Sequence, residues 1–270
     1  DEYKRQPECS PDALAMANRT ETPMNVVAVI QHTAGEYLGL IEDHLEGRRI
    51  RFQYFRPFAS GGKLPAADLP ADALMLLGGG PWGSAGVRDL PTLQEEIELT
   101  RSYLAAGTPV VGFGLGAQIL AIAAGGRAES TPLVLEALTS TRVADDALNG
   151  YLPAQFTQVT YMRDRPVPPA DATILAEDTA GRPAVFQVGD NAYGFLGNPG
   201  IKLGMVEDLI MEFEEVPADT AQGLEKLSKF QRTIEDELVP LMTGLVQCTA
   251  LMSSPKAAAE IVPELDTQVI

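Results

Sequence analysis

At 270 residues the chain has the length of one sizeable α/β domain, or of one domain with extensions. Apolar residues make up 45% of it, enough for a real core, and the formal net charge of −17 argues against nucleic acid and anionic membrane surfaces as partners. Two cysteines make no disulfide framework and no apolar run approaches the roughly 20 residues of a spanning helix, so a reducing, cytoplasmic setting is expected.

Residues 1–23 hold Pro7, Pro11 and Pro23, few large apolar groups and no apolar h-region, and read as an N-terminal arm rather than a signal peptide. The domain is expected over 24–252, with a Pro-punctuated C-terminal tail over 253–270. Neither arm nor tail buries enough surface alone to offset an ordering cost of roughly 1–2 kcal/mol per residue, so at least one is expected to lie across another subunit.

Val26–Gln31 is a continuous apolar run ending in a polar pair, the pattern of a buried parallel strand. Gly35–Leu45 has a short helical pattern, with Gly47 as its expected cap. Arg51–Phe55 alternates as a second strand, and Ala73–Leu77 is a third, ending at a glycine triplet. Pro91–Ala106 is an amphipathic helix with Pro at its start and Gly107 past its end. Val110–Phe113 and Ala117–Ala124 form a strand and a helix joined by a sharp turn. Residues 132–200 read as shorter strands with turns at Asn149-Gly150, Gly181-Arg182-Pro183 and Gly189-Asp190. From Gly204 the chain is helical through Val216, and again from about Thr220 to Leu251. This alternation predicts an α/β fold, a flavodoxin-like open and mainly parallel sheet with helices on both faces.

The strand–turn–helix at Gly112-Phe113-Gly114-Leu115-Gly116-Ala117-Gln118 carries the chemical argument. Enzymes built this way place their nucleophile on the turn, at position 114. Here that position is Gly, which has no side chain to attack with and which reaches positive φ at little steric cost. Gly112 and Gly116 permit close strand–helix packing. The first six residues also fit a dinucleotide fingerprint, but that fingerprint belongs to the first βα unit, and here it arrives about 85 residues into the domain. The only histidines are His32 and His44, both in the first βα unit, and Cys9 and Cys248 lie far from the elbow with no local base or cation to activate them.

These residues resemble the nucleophile elbow of the class I (triad) glutamine amidotransferases, Gly-x-Cys-x-Gly-x-Gln, matched at every position except the Cys. Leu76-Leu77-Gly78-Gly79-Gly80-Pro81 is similar to the family's Gly-Gly-Pro oxyanion strand, and Tyr193–Gly200 to the segment that normally reads Gly-x-Gln-Phe-His-Pro-Glu. The match spans roughly residues 24–215, and Gln31-His32 resembles the GMP-synthase-like branch. By that resemblance all three triad positions are replaced, by Gly114, Asn198 and Gly200, which implies a natural pseudoenzyme without glutaminase activity. It also implies that the oxyanion hole, formed by N–H groups near Gly80 and Leu115, and the pocket residue Gln118 persist. Tyr161-Met162-Arg163-Asp164 stands where relatives carry Trp-His-x-Asp, with Met162 in the His position.

The candidate ligand-binding residues of the old pocket are therefore His32, Gly79, Gly80, Trp82, Leu115, Gln118, Tyr161 and Arg163. His32 sits at the carboxyl edge where α/β sheets keep ligands, and equally suits a helix cap or a loop carbonyl. With Glu36 it makes only a weak metal pair; no metal and no cofactor are expected. Trp82 suits a pocket wall, a partner contact or a half-buried rim. Arg163 suits an anion or an ion pair, and His44, Glu95-Glu96 and Glu212–Glu215 read as solvated helix faces. Two function classes follow. One is a noncatalytic subunit of a hetero-oligomeric enzyme; the chain resembles the amidotransferase-like proteins associated with heme-dependent monooxygenases that demethylate dimethylamine. The other is an enzyme or sensor reusing the pocket for a small amide, amine or folate-like ligand.

Overall fold

The computed structural model describes residues 24–253; the arm over 1–23 and the tail over 254–270 lie outside the described residues. In chain order the elements are β1 (Val26–Ile30), α1 (Leu40–Glu46), β2 (Arg51–Phe55), β3 (Ala73–Leu76), α2 (Leu93–Ala105), β4 (Val110–Phe113), α3 (Leu115–Ala123) and β5 (Arg127–Glu129). There follow β6 (Val134–Arg142), β7 (Gln155–Met162), β8 (Arg165–Val167), β9 (Thr173–Glu177), β10 (Pro183–Val188), β11 (Ala192–Phe195), α4 (Leu203–Glu212) and α5 (Thr220–Cys248). Nine strands form one sheet in the order β2-β1-β3-β4-β11-β10-β9-β6-β7, and β5 pairs with β8 beside it. The half from β2 to β11 is parallel and has the flavodoxin-like order; the half from β10 to β7 is antiparallel and extends it.

Side-chain alternation along the parallel strands explains their unbroken apolar runs, because both faces are covered. Val27, Val29, Met75, Val111 and Phe113 enter a core shared with Ile41 and Leu45 of α1 and Leu238 and Leu241 of α5. Ala28, Ile30, Leu74, Leu76 and Val110 enter a second core, shared with Ile97 and Tyr103 of α2 and Ile119 and Leu120 of α3. The sheet is thus the middle layer of three, with the carboxyl ends of β1, β3, β4 and β11 side by side.

Two elements differ from the sequence expectation, and both differences shape the site. The first helix begins at Leu40, not Gly35, because Gly39 adopts φ 63 and ψ −123 and the Leu40 N–H is taken by the Gly200 carbonyl at 2.8 Å. Residues 32–39 are therefore a loop. The helix expected to run through Val216 ends at Glu212, where Phe213 turns to extended backbone, φ −121 and ψ 142. His44 is half-buried in the last turn of α1, where Arg48 donates to its carbonyl at 3.0 Å, so it is not a fully solvated residue.

Candidate functional site

Gly114 forms the whole turn between β4 and α3, with φ 55 and ψ −112. Its N–H donates to the Phe195 carbonyl of β11 at 3.0 Å, and its carbonyl accepts from Ala117 N–H at 3.1 Å. This is the elbow geometry expected from the sequence. A Cβ at 114 would meet Gly78 Cα only at 3.6 Å, so there is room for a side chain and the restriction lies in the backbone. A Cβ on Gly112 would overlap the Gly116 carbonyl, and one on Gly116 the Leu76 carbonyl, which accounts for glycine on both sides of the turn.

Asn198 and Gly200 lie on the same edge, after β11. Asn198 is buried; its Oδ1 accepts from Gly200 N–H at 2.8 Å and its N–H donates to the Val159 carbonyl at 2.9 Å, while its Nδ2 has no hydrogen-bond partner. A Cβ at Gly200 would fall 2.6 Å from Ile41 Cγ1, so the position has no space for a carboxylate side chain. Asn198 is an amide and neither gains nor loses a proton near neutral pH. Nothing at these positions supplies a nucleophile, a base or an orienting acid.

His32 is buried at the end of β1, with Nδ1 2.9 Å from the Gly78 carbonyl and Nε2 2.8 Å from Glu96 Oε2. Both partners are acceptors, so the surroundings favour a ring that carries a proton on both nitrogens. Burial opposes that charge most strongly, yet the charge and hydrogen bond of Glu96, the Gly78 carbonyl and the nearby Glu36 together raise its pKa above the ordinary value. Glu96 is fully buried and also accepts from Thr92 Oγ1 at 2.6 Å, which corrects the reading of Glu95-Glu96 as a solvated face. Its position in α2 is in phase with Leu93, Thr100 and Tyr103, a periodicity that marks it as inward-facing.

Glu36 is the second residue that sequence reasoning undervalued. The loop in place of the expected helix turns its side chain inward, where Oε2 accepts from Gly80 N–H at 3.0 Å. Its carboxylate lies where a Cβ on Gly78 would be. Burial pushes its pKa up to about 7, against the Gly80 N–H and His32, with Glu212 adding to the rise. The N–H group near Gly80, expected to be free as an oxyanion donor, is thus engaged by the protein's own carboxylate.

The remaining candidates are gathered at the same edge but are engaged with each other. Leu115 covers Gly79. Gln118, fully buried, accepts from Ser84 Oγ at 2.5 Å and donates to the Arg163 carbonyl at 2.8 Å. Asp164, with φ 62, accepts from the N–H groups of Ser84 and Ala85 at 2.9 Å each. Arg163 Nε donates to the Pro81 carbonyl at 3.2 Å, and its Nη2 is ion-paired with Glu215. Tyr161 is buried and its hydroxyl has no hydrogen-bond partner; burial first, then the charges of Glu36 and Glu215, push its pKa up to about 12. Trp82 is half-buried, with the Arg88 guanidinium 4.8 Å from its ring centroid.

The segment after α4 lies over this edge, so the run Glu212–Glu215 is not a simple solvated face. Glu212 accepts from the N–H groups of Ala34 and Gly35, both at 2.9 Å. Phe213 packs on Gly80 and beneath Arg88, and Glu215 pairs with Arg88 at 2.6 Å as well as with Arg163. Among the described residues no group of three or more His, Cys, Asp or Glu is placed to hold a metal ion.

No protein-family model matches the chain, and no curated protein matches its sequence. Solved structures do match its fold. A glutamine amidotransferase from Methylobacillus flagellatus superposes with a TM-score of 0.70 at 21% identity, over 84% of this chain and 96% of that one. A glutamine amidotransferase from Thermotoga maritima superposes with a TM-score of 0.70 at 21% identity, over 84% of this chain and 99% of that one. At that identity the likeness speaks of architecture alone, and the described chain has the glutamine amidotransferase-like fold.

Proposed function

We propose that the chain is a catalytically dead, glutamine amidotransferase-like subunit with a structural, regulatory or ligand-binding role in a larger multi-subunit enzyme. The observation that carries this reading is the elbow: its geometry is intact around Gly114, while Asn198 and Gly200 supply no base or acid. The finer form, an accessory subunit of a cytoplasmic, heme-dependent dimethylamine monooxygenase, rests on the sequence resemblance. Isolation from the native source followed by mass spectrometry of co-purifying chains tests it. The expected result is a stable hetero-oligomer and no glutamine-dependent ammonia release; a monomer with glutaminase turnover at ordinary enzyme rates overturns it.

A second reading, a sensor or altered enzyme holding a small amide, amine or folate-like ligand, is favoured by two buried groups without partners, the Tyr161 hydroxyl and Asn198 Nδ2. The same preparation separates the two, since this reading requires a monomer that carries a small molecule.

A further inference from the structure

Glu36 sits in this fold as a small bound carboxyl group would. It comes from the loop after β1 and reaches the carboxyl end of β3, with its own N–H held by Thr33 Oγ1 at 3.1 Å. Oε2 takes the Gly80 N–H at 3.0 Å, and the carboxylate occupies the space that only a glycine at 78 leaves open. The residue is 4% exposed, at the sheet edge where α/β folds hold ligands. The groups around it come from every neighbouring element. His32 follows β1 and is bonded to the Gly78 carbonyl, Glu212 ends α4 and holds Ala34 and Gly35, and Tyr161 ends β7 with an unpartnered buried hydroxyl. Burying a carboxylate is unfavourable unless its oxygens are met by donors, and no helix or strand requires a side chain of residue 36 to point here. A tethered group has an effective concentration of order mM or more, enough to exclude a weak free competitor.

We propose that Glu36 is a tethered carboxyl group that takes the Gly80 N–H in the space left open by Gly78, and that removing it uncovers a site for a small free carboxylic acid or its carboxylate. The inference goes beyond the noncatalytic reading and holds whether or not the chain assembles with others.

The test uses the full chain, its Glu36→Ala and Glu36→Gln variants, and acetate as the probe, with chloride at matched ionic strength as the control. Glu36→Ala is expected to show a saturable rise in melting temperature with acetate that chloride does not reproduce. The wild type and Glu36→Gln, whose amide oxygen still accepts from Gly80, are expected not to respond. An acetate response as large in the wild type, or none in a Glu36→Ala chain with native circular dichroism, overturns the proposal. If Glu36→Ala does not fold, the Gly80 amide resonance of the wild type decides. It should move with the ionisation of Glu36 and lose that movement in Glu36→Gln; a Gly80 amide indifferent to Glu36 overturns the proposal.

Discussion

Gly114 holds a backbone conformation, φ 55 and ψ −112, that side-chain-bearing residues adopt only under strain. Gly114→Ala is expected to lower stability by roughly 1–3 kcal/mol through the backbone alone, since its Cβ has space; denaturant unfolding measures it, and an unchanged midpoint contradicts the elbow. Gly114→Cys is expected to place a thiol on the turn without restoring glutamine hydrolysis, because Asn198 cannot take its proton. The His32–Glu96 pair is a different case. Its side chains are fully buried, and Glu96→Ala leaves a buried imidazolium without its counter-charge, so a loss of about 3–5 kcal/mol is expected. The pH dependence follows from two groups of one sign. Glu36 is raised from 4.5 to about 7, so the folded state binds the extra proton, and the stability this confers is complete below pH 4.5 and lost as pH rises through 7. His32, raised above 6.5, likewise loses its contribution as pH rises through its folded value. The melting temperature of the wild type is expected to fall between pH 5 and 7.5 more steeply than that of Glu36→Gln; parallel curves contradict the assignment.

At the scale of elements, the end of α4 acts as a clasp over the sheet edge. Glu215 reaches Arg88 and Arg163, and its side chain is 43% exposed, so solvent screens these pairs and each contributes little to global stability. Glu215→Ala is therefore expected to change global unfolding by no more than about 1 kcal/mol. The local effect is expected to be larger, as faster amide exchange at Phe213–Val216 and at Ala34-Gly35, where Glu212 is the other anchor. Exchange unchanged in both segments contradicts the clasp. The Arg88 hydrogen bond first, and Arg163 with it, holds the Glu215 carboxyl below its ordinary value despite a small opposing effect of burial. The contribution of the clasp is present above pH 4.5 and lost as pH falls through that lower value, opposite in sign to that of Glu36 and His32.

For the whole molecule, residues 24–253 form a three-layer sheet whose central parallel strands are buried on both faces, and among the described residues no helix is long and apolar enough to cross a membrane. Deleting residues 1–23 is expected to leave a folded, soluble domain while weakening assembly with its partner chains. Co-purification of the truncated chain with the native complex measures this. Undiminished assembly, with deletion of 253–270 equally silent, moves the interface to the domain surface, with Trp82 as its candidate centre.

Local pattern determined the strands β1 to β4, the long helices and the elbow, because apolar runs, helix periodicity and a Gly-x-Gly-x-Gly spacing are properties of neighbouring residues. That the turn residue 114 is Gly, with no side chain to attack with, is likewise plain from the sequence. What only the tertiary structure decided are the contacts between residues far apart in the chain. The sequence shows Glu36 and Glu96 as ordinary acids, and it is the closing of β1 against β3 and α2 that buries them beside His32, 46 and 64 residues from its partners. The extent of two helices differs from the sequence expectation for the same reason. The Leu40 N–H is taken by the Gly200 carbonyl, and Phe213 leaves its helix to reach Gly80 and Arg88, and neither competitor is visible in a local window. That the sheet edge around Gly78–Gly80 is filled by the chain's own groups is the outcome of those long-range contacts, because burial is set by what packs from elsewhere in the chain.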